Sequence, residues 1–502
     1  LVEHDGADAI QPGIGQEPPR QQSLGQIQEP RARSRGFLEA DLPADGFAGG
    51  LAPFECGSLR RQARRQAARF EDKNLSRKEI QQGRGHTGGL AGAGRGLQHE
   101  VRPASERRAH VFEDCVDGKP LHIYTVAMPV TVQPPPRLLF GPGPSPVHPR
   151  IYEAMSRPIV GHLDPYFFQI NEEIRAGLNA CFGTKNEFTM VISGTGSAGM
   201  ECAVANFVAP GATIAIFANG YFSDRITEMA RRHGGVVQRL EKPWGRIYTD
   251  AEAREFIQAV RPQVVAYVHA ETSTGAHQPG HAICRAAHEV GALVIADCVT
   301  SLGGMPVRVD ETGIDIAYSG TQKALGAPPG LAPITCSPRA VEFLRQRTSP
   351  PASWYLDLKL LLDYYESAHR YHHTAPITMF YALREALAII EEEGLENRWA
   401  RHRRNHERFV AGLAEMGIRM HVAEGERLWT LNTPVVPEGV NDAAVRRHLM
   451  ETRGIEIAGG FGPLAGKVFR IGTMGYGSTE ENVDLLLEAL REALQAPAGG
   501  KA

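Results

Sequence analysis

The chain has 502 residues, 42% hydrophobic and 22% charged, with a formal net charge of −3. This balance fits a globular chain long enough for two or three domains and excludes collagen-like, coiled-coil and wholly disordered classes. The interspersed charges offer no field for nucleic acid or an acidic membrane, and no run nears the roughly 18 apolar residues of a membrane span. With no basic segment leading into an apolar run at the N-terminus, a cytoplasmic protein acting on small molecules is expected. Its seven cysteines show no CxxC pair and no Cys/His cluster at ligand spacing, so buried reduced thiols and no metal are expected.

Residues 1–127 differ from the rest. All eleven methionines, beginning with Met128, and all four tryptophans come later. The segment is rich in Arg, Gln, Gly and Pro and sustains no apolar period except around Leu59 to Phe70, so it cannot bury enough surface to offset chain entropy. It is expected to be a disordered or spurious extension, with the working protein starting near Met128. The alternative is a disordered arm that binds through Arg60, Arg61, Arg64 and Arg65.

From Glu187 onward, short apolar runs alternate with amphipathic stretches, the pattern of βαβ units around a mainly parallel sheet. Strands are predicted at Phe188 to Ile192, Thr213 to Ala218, Val236 to Leu240, Val264 to His269, Leu293 to Ala296, Ile314 to Ser319 and Pro333 to Cys336. Helices are predicted at Ser223 to His233, Ala251 to Val260 and Gly280 to Val290. After Pro350-Pro351 comes a long helical pattern, Thr378 to Met416, broken at Gly394. A smaller α+β part follows, with strands near Arg427 to Leu431 and Lys467 to Ile471 and a closing helix, Thr479 to Leu494. The expected architecture is an α/β domain over 128–390 and a small C-terminal α+β domain over 391–502.

Three motifs sit on that frame. Gly194-Thr195-Gly196-Ser197-Ala198-Gly199 follows a strand and opens a helix, where free amides and the helix dipole suit a phosphate. A dinucleotide site would also need an acid ending the second strand, but that strand ends Phe217-Ala218-Asn219-Gly220, which favours one phosphate monoester; a turn chosen only for packing is the alternative. Asp297 ends the run Leu293 to Ala296, where a buried carboxylate needs a cation such as a protonated heteroaromatic nitrogen; otherwise it caps the next turn. Lys323, in Ser319-Gly320-Thr321-Gln322-Lys323, stands at another strand end. Alone it reads as a surface lysine, but among small residues it can lose its proton and form an imine. Together the three motifs supply the handles of pyridoxal 5′-phosphate: phosphate, ring nitrogen and aldehyde.

These residues, with Phe140-Gly141-Pro142-Gly143-Pro144-Ser145, His269-Ala270-Glu271-Thr272-Ser273-Thr274-Gly275, Ala296 to Gly304 and Tyr371-His372-His373-Thr374, resemble in order the alanine–glyoxylate and serine–glyoxylate aminotransferases. That group is class V of the pyridoxal-phosphate enzymes, and the resemblance runs from about Met128 to the C-terminus. It implies the type I fold of PLP-dependent transferases and a ping-pong transfer from alanine or serine to glyoxylate or pyruvate.

The resemblance also implies roles. Lys323 would carry the Schiff base and shuttle the proton, and Asp297 would pair with the ring nitrogen. Phe222 would stack on the ring, with Tyr221 as fallback, and Thr272 would bond its phenolic oxygen. Thr195, Gly196, Ser197 and Gln322 would hold the phosphate; Ser197 stands where some relatives have His. Tyr371 and Thr374 would reach in from a second subunit, making a homodimer. Arg470 would bind the substrate carboxylate, while Gly141 and Gly143 would let the backbone pass close to a small substrate. Serine–pyruvate or pyridoxamine–pyruvate transamination stays open. A cysteine desulfurase would need a mobile cysteine toward the C-terminus, and the last here is Cys336. A non-catalytic subunit of the same fold would have no need of Lys323, Asp297 and Arg470.

Overall fold

The computed structural model describes residues 112–116, 119–123, 132–365 and 370–495. Residues 1–126 and 127–502 form separate units. In the first, strands Phe112–Val116 and Lys119–Ile123 pair antiparallel, Phe112 opposite Ile123. The Asp117-Gly118 dipeptide between them is a strong hairpin signal that the composition argument passed over. The remainder of that segment, including the arginines at 60, 61, 64 and 65, lies outside the described residues.

The second unit is built on seven strands: β1 (Phe188–Ser193), β2 (Thr213–Ala218), β3 (Val236–Glu241), β4 (Val264–Val268), β5 (Leu293–Asp297), β6 (Ile316–Tyr318) and β7 (Leu331–Cys336). Their order is β1-β7-β6-β5-β4-β2-β3. β7 runs antiparallel to both neighbours and the other pairings are parallel, so all strands but β7 point one way.

Both faces of the inner strands are covered, which is why they read as near-continuous apolar runs, whereas the edge strand β3 carries Gln238, Arg239 and Glu241. Alternate residues serve opposite layers. Ala215, Phe217, Val265, Tyr267, Val294 and Ala296 join a core with Phe167, Ile174, Ile257, Ile283 and Phe380. Ile214, Ile216, Ala266, Val268 and Ile295 join another with Met200, Val204, Phe207, Ile226 and Leu358. The first layer draws on α1 (Pro165–Phe182), α4 (Asp250–Val260), α5 (His281–Glu289) and α6 (Ile377–Glu393). The second draws on α2 (Gly196–Phe207) and α3 (Tyr221–Arg232).

Gly394, at φ 79°, separates α6 from α7 (Leu395–Glu415), as the break in the helical pattern predicted. Beyond it, β8 (Leu431–Asn432), β9 (Ala458–Gly459) and β10 (Phe469–Gly472) form a small sheet beside α8 (Asp442–Arg453) and α9 (Glu480–Gln495). The expected strand at Arg427 to Leu431 shrinks to two residues. Its start is held elsewhere: Leu428 N–H donates to Gly275 O at 2.9 Å and Thr430 Oγ1 to Thr300 O at 2.8 Å. Phe140 joins the core of this C-terminal part with Phe409, Leu449, Phe469 and Leu490. Its neighbours Leu138 and Leu139 pair in parallel with Ile455 and Glu456. Among the described residues no helix is long and apolar enough to cross a membrane.

Candidate active site

Ligands of such sheets bind beyond the carboxyl ends of the parallel strands. The loops there carry Ser193 to Ser197 after β1, Asn219 to Phe222 after β2, Thr272 after β4, Asp297 at the end of β5 and Lys323 after β6.

Asp297 is 2% exposed, and its oxygens accept from Val299 N and Tyr318 Oη, both at 2.9 Å. Burial lifts its pKa to about 6, opposed by these bonds and by Lys323 and Arg225. Lys323 is nearly as enclosed, and its Nζ donates to Pro142 O. Burial, then the positive charge of Arg470, brings its pKa down to about 8. A lysine so placed loses its proton far more readily than an exposed one, as an imine-forming amine requires. The charges of Asp297 and Lys323 act on each other.

Gly143, at φ 112°, packs on that lysine: a Cβ there would lie 2.8 Å from Lys323 Cδ and 3.0 Å from Nζ. Gly141 meets a different neighbour, since a Cβ at Gly472 would sit 2.4 Å from Gly141 O. The segment thus threads between the Arg470 strand and the lysine.

The candidate phosphate cradle is the N-terminus of α2, whose cap residue Thr195 makes no side-chain capping bond. Gly196 and Gly320 bring its loop against the lysine loop: a Cβ on Gly320 would fall 3.3 Å from Gly196 N and 2.8 Å from Gln322 Oε1. Gln322 Oε1 is buried without a hydrogen-bond partner, and the donor that this side chain would offer a phosphate is its amide Nε2. Ser197 Oγ accepts from Arg225 Nη1 at 2.8 Å. These donors fit a phosphate monoester, and Asp297 offers a buried anion for a ring nitrogen. The residues present fit pyridoxal phosphate.

Phe222 stands in the first turn of α3, its ring 4.8 Å from the Arg225 guanidinium carbon. Glu271 fixes that turn: Phe222 N donates to Glu271 Oε2 at 3.2 Å, and Tyr221 N to Ser273 Oγ, which itself donates to Glu271 Oε1 at 2.6 Å. Gly220 is required beside it, because a Cβ would come within 2.4 Å of Glu271 Cδ. Burial pushes the Glu271 pKa up to about 7. Thr272 is buried, with its hydroxyl sharing a hydrogen bond with Thr300 Oγ1.

Arg470, on β10, is 4% exposed and donates from Nε to Gly459 O at 2.7 Å. Its two terminal nitrogens meet no acceptor among the described residues, and burial lowers its pKa to about 10 while Glu271 opposes the fall.

The structure therefore brings Thr195, Gly196, Ser197, Phe222, Thr272, Asp297, Gln322, Lys323, Gly143 and Arg470 to one end of the fold. Tyr371 and Thr374 are exposed, and neither side chain hydrogen-bonds a described residue. Their neighbour His373 does reach the cradle, with Nε2 2.6 Å from Ser193 Oγ. Sequence reasoning missed Arg225, Tyr318 and the part played by Glu271. Arg225 stands one helical turn after Phe222, a spacing that shares a face. Glu271 stood inside a quoted motif, but its burial had no sequence signal. Cys336 is 1% exposed in β7, so it is no mobile thiol.

Fold and site together define a pyridoxal-phosphate-dependent enzyme of the type I transferase fold. Residues 147–486 match the family described as Aminotransferase class-V. The chain is 41% identical over 365 residues to the alanine–glyoxylate aminotransferase of Rattus norvegicus, covering 72% of this chain and 88% of that one. It is 39% identical over 378 residues to the (S)-ureidoglycine–glyoxylate transaminase of Bacillus subtilis, covering 72% and 91%. A crystal structure of the alanine–glyoxylate aminotransferase from Nostoc sp. superposes with a TM-score of 0.73 at 46% identity, covering 74% and 98%. The chain belongs to the class-V aminotransferases.

Proposed function

We propose that the chain transfers an amino group from alanine or serine to glyoxylate or pyruvate in two half-reactions, donor first and keto acid second. One observation carries this reading: an enclosed lysine of lowered pKa lies under the influence of both the Asp297 carboxylate and an arginine whose guanidinium edge is free. That edge suits an α-carboxylate, which donor and acceptor both carry. This favours amino acids over pyridoxamine as donors. The close approach of Gly143 to Lys323 suits a small substrate, and relatives whose names include glyoxylate support that acceptor.

When bound, the cofactor supplies an electron sink for the pair left as the substrate's α-proton departs. Thr195, Gly196, Ser197, Gln322 and Arg225 would hold its phosphate, Phe222 would pack on its ring, and Thr272 would serve its phenolic oxygen. Asp297 would offer a negative charge to the ring nitrogen. Lys323 Nζ, uncharged, accepts the α-proton and later returns one from its ammonium form, acting as base and then acid. Arg470 fixes the carboxylate, and so the α-carbon, relative to Lys323.

The enzyme acts as a homodimer in which Tyr371 and Thr374 complete the other subunit's cradle, a reading supported by their exposure and by the lack of side-chain hydrogen bonds from them to the described residues. Mixing Lys323→Ala protein with a Tyr371→Ala/Thr374→Ala double variant, with subunit exchange, should restore about a quarter of wild-type activity through hybrids with one intact site. Activity no greater than the sum of the parents would reject the shared site. For the reaction, holoenzyme is mixed in turn with alanine, serine, aspartate and pyridoxamine, following loss of its yellow colour and release of keto product. Alanine or serine should react and glyoxylate should reverse the change; reaction with aspartate alone would overturn the assignment.

A further inference from the structure

The loop joining β9 to β10 begins Gly459-Gly460-Phe461-Gly462, and Phe461 is the only side chain those four residues carry. Its backbone is pinned on both sides. A Cβ on Gly460 would fall 2.0 Å from Leu464 O, and one on Gly462, at φ 45°, would fall 3.1 Å from the Trp244 ring. Phe461 is therefore placed by its glycines and yet left 38% exposed.

What it covers is the face of Arg470. The guanidinium carbon lies 3.7 Å from the Phe461 ring centroid. On its other side Phe461 meets Tyr221, 5.1 Å between centroids, and Tyr221 in turn packs 5.6 Å from Phe222. An aromatic row thus runs from the ring-stacking position to the free arginine. A π-face over a guanidinium attracts the cation, excludes water from that face and leaves the in-plane edge free. With Nε held by Gly459 O, cover and tether together fix the guanidinium plane.

We propose that Phe461 is a specificity-determining residue that holds the Arg470 edge toward the substrate carboxylate and, with Tyr221, walls the site against long side chains. This rests on the reading of Arg470 as the carboxylate-binding group. It explains why an apolar ring stands half-exposed on a loop of glycines, where a polar residue would be better solvated. The ring is no part of the buried core, so truncating it opens no core cavity.

The test is calorimetric titration of the holoenzyme with propionate, a carboxylate with no amino group to transfer. Phe461→Ala should weaken propionate about tenfold, whereas Phe461→Tyr, which keeps the π-face, should bind it like the wild type. With alanine, Phe461→Ala should raise KM and leave kcat within about twofold, the pattern of lost binding shared by ground and transition states. The same variant should also gain on 2-aminopentanoate relative to alanine. Unchanged propionate affinity in Phe461→Ala, or Phe461→Tyr as weak as Phe461→Ala, would overturn the proposal. If the wild type reacts with neither alanine nor serine, the substrate assignment falls, and the propionate comparison still decides the role of Phe461.

Discussion

Gly143→Ala probes the closest approach in the site. The added methyl carbon would lie 2.8, 2.9 and 3.0 Å from Lys323 Cδ, Cε and Nζ, while the backbone at φ 112° disfavours any side chain. The backbone contribution is about 1–3 kcal/mol of strain, which should lower the thermal midpoint by several degrees. Restoring ordinary contact moves the lysine tail by about half an ångström, and misplacement on the 1 Å scale costs roughly a hundredfold in rate. The expected variant is folded, takes up cofactor slowly and turns over alanine about ten- to a hundredfold more slowly. Differential scanning fluorimetry, the rate of yellow-colour development on adding pyridoxal phosphate, and kcat measure the three parts. Wild-type values for all three would show that the segment does not press on the lysine and would refute the argument.

Lys323→Ala should reduce turnover by about three orders of magnitude or more while leaving cofactor bound through the cradle, as dialysis and absorbance would report. Arg225→Ala should weaken cofactor retention about ten- to a hundredfold through loss of a charged donor beside Ser197, measured by equilibrium dialysis. With the Lys323 pKa down to about 8, the rate of cofactor attachment to apoprotein should climb as pH rises toward 8 and level off above it; a rate still climbing steeply through pH 10 would contradict that environment. The buried Glu271 keeps its proton in the folded state to about pH 7 but loses it near its ordinary value when unfolded. Its contribution to stability should thus fall as pH rises between those limits and then stay constant. Glu271→Gln should flatten that portion of a Tm-against-pH curve.

The sheet could be read ahead of the structure because burial on both faces leaves long apolar runs. Thr213–Ala218 coincides with its prediction, and Leu293–Asp297 differs from its own by one residue. Where polar side chains divert the backbone, the reading slipped. The strand expected from Ile314 begins at Ile316, because Asp315 is occupied by Val294 N at 3.0 Å and Ser337 Oγ at 2.8 Å. Asp297 was visible because it ends a strand, and Lys323 because it lies in the short loop that follows one. Glu271 and Tyr318 were not, since their parts depend on neighbours brought close only by the fold. The same holds for Phe461, whose cation lies on the next strand.

The return of Phe140 to the C-terminal core carries a consequence for synthesis. The strand partners of Leu138 and Leu139 are Ile455 and Glu456, more than 300 positions later in the chain. As the polypeptide leaves the ribosome, the core that Phe140 joins is incomplete until α9 has emerged, since Leu486 and Leu490 belong to the same cluster. A module made late therefore closes around a ring made more than 300 residues before it. Maturation of the surroundings of Lys323 waits on synthesis of α9, and nascent chains stopped before residue 480 should expose that ring to chaperones.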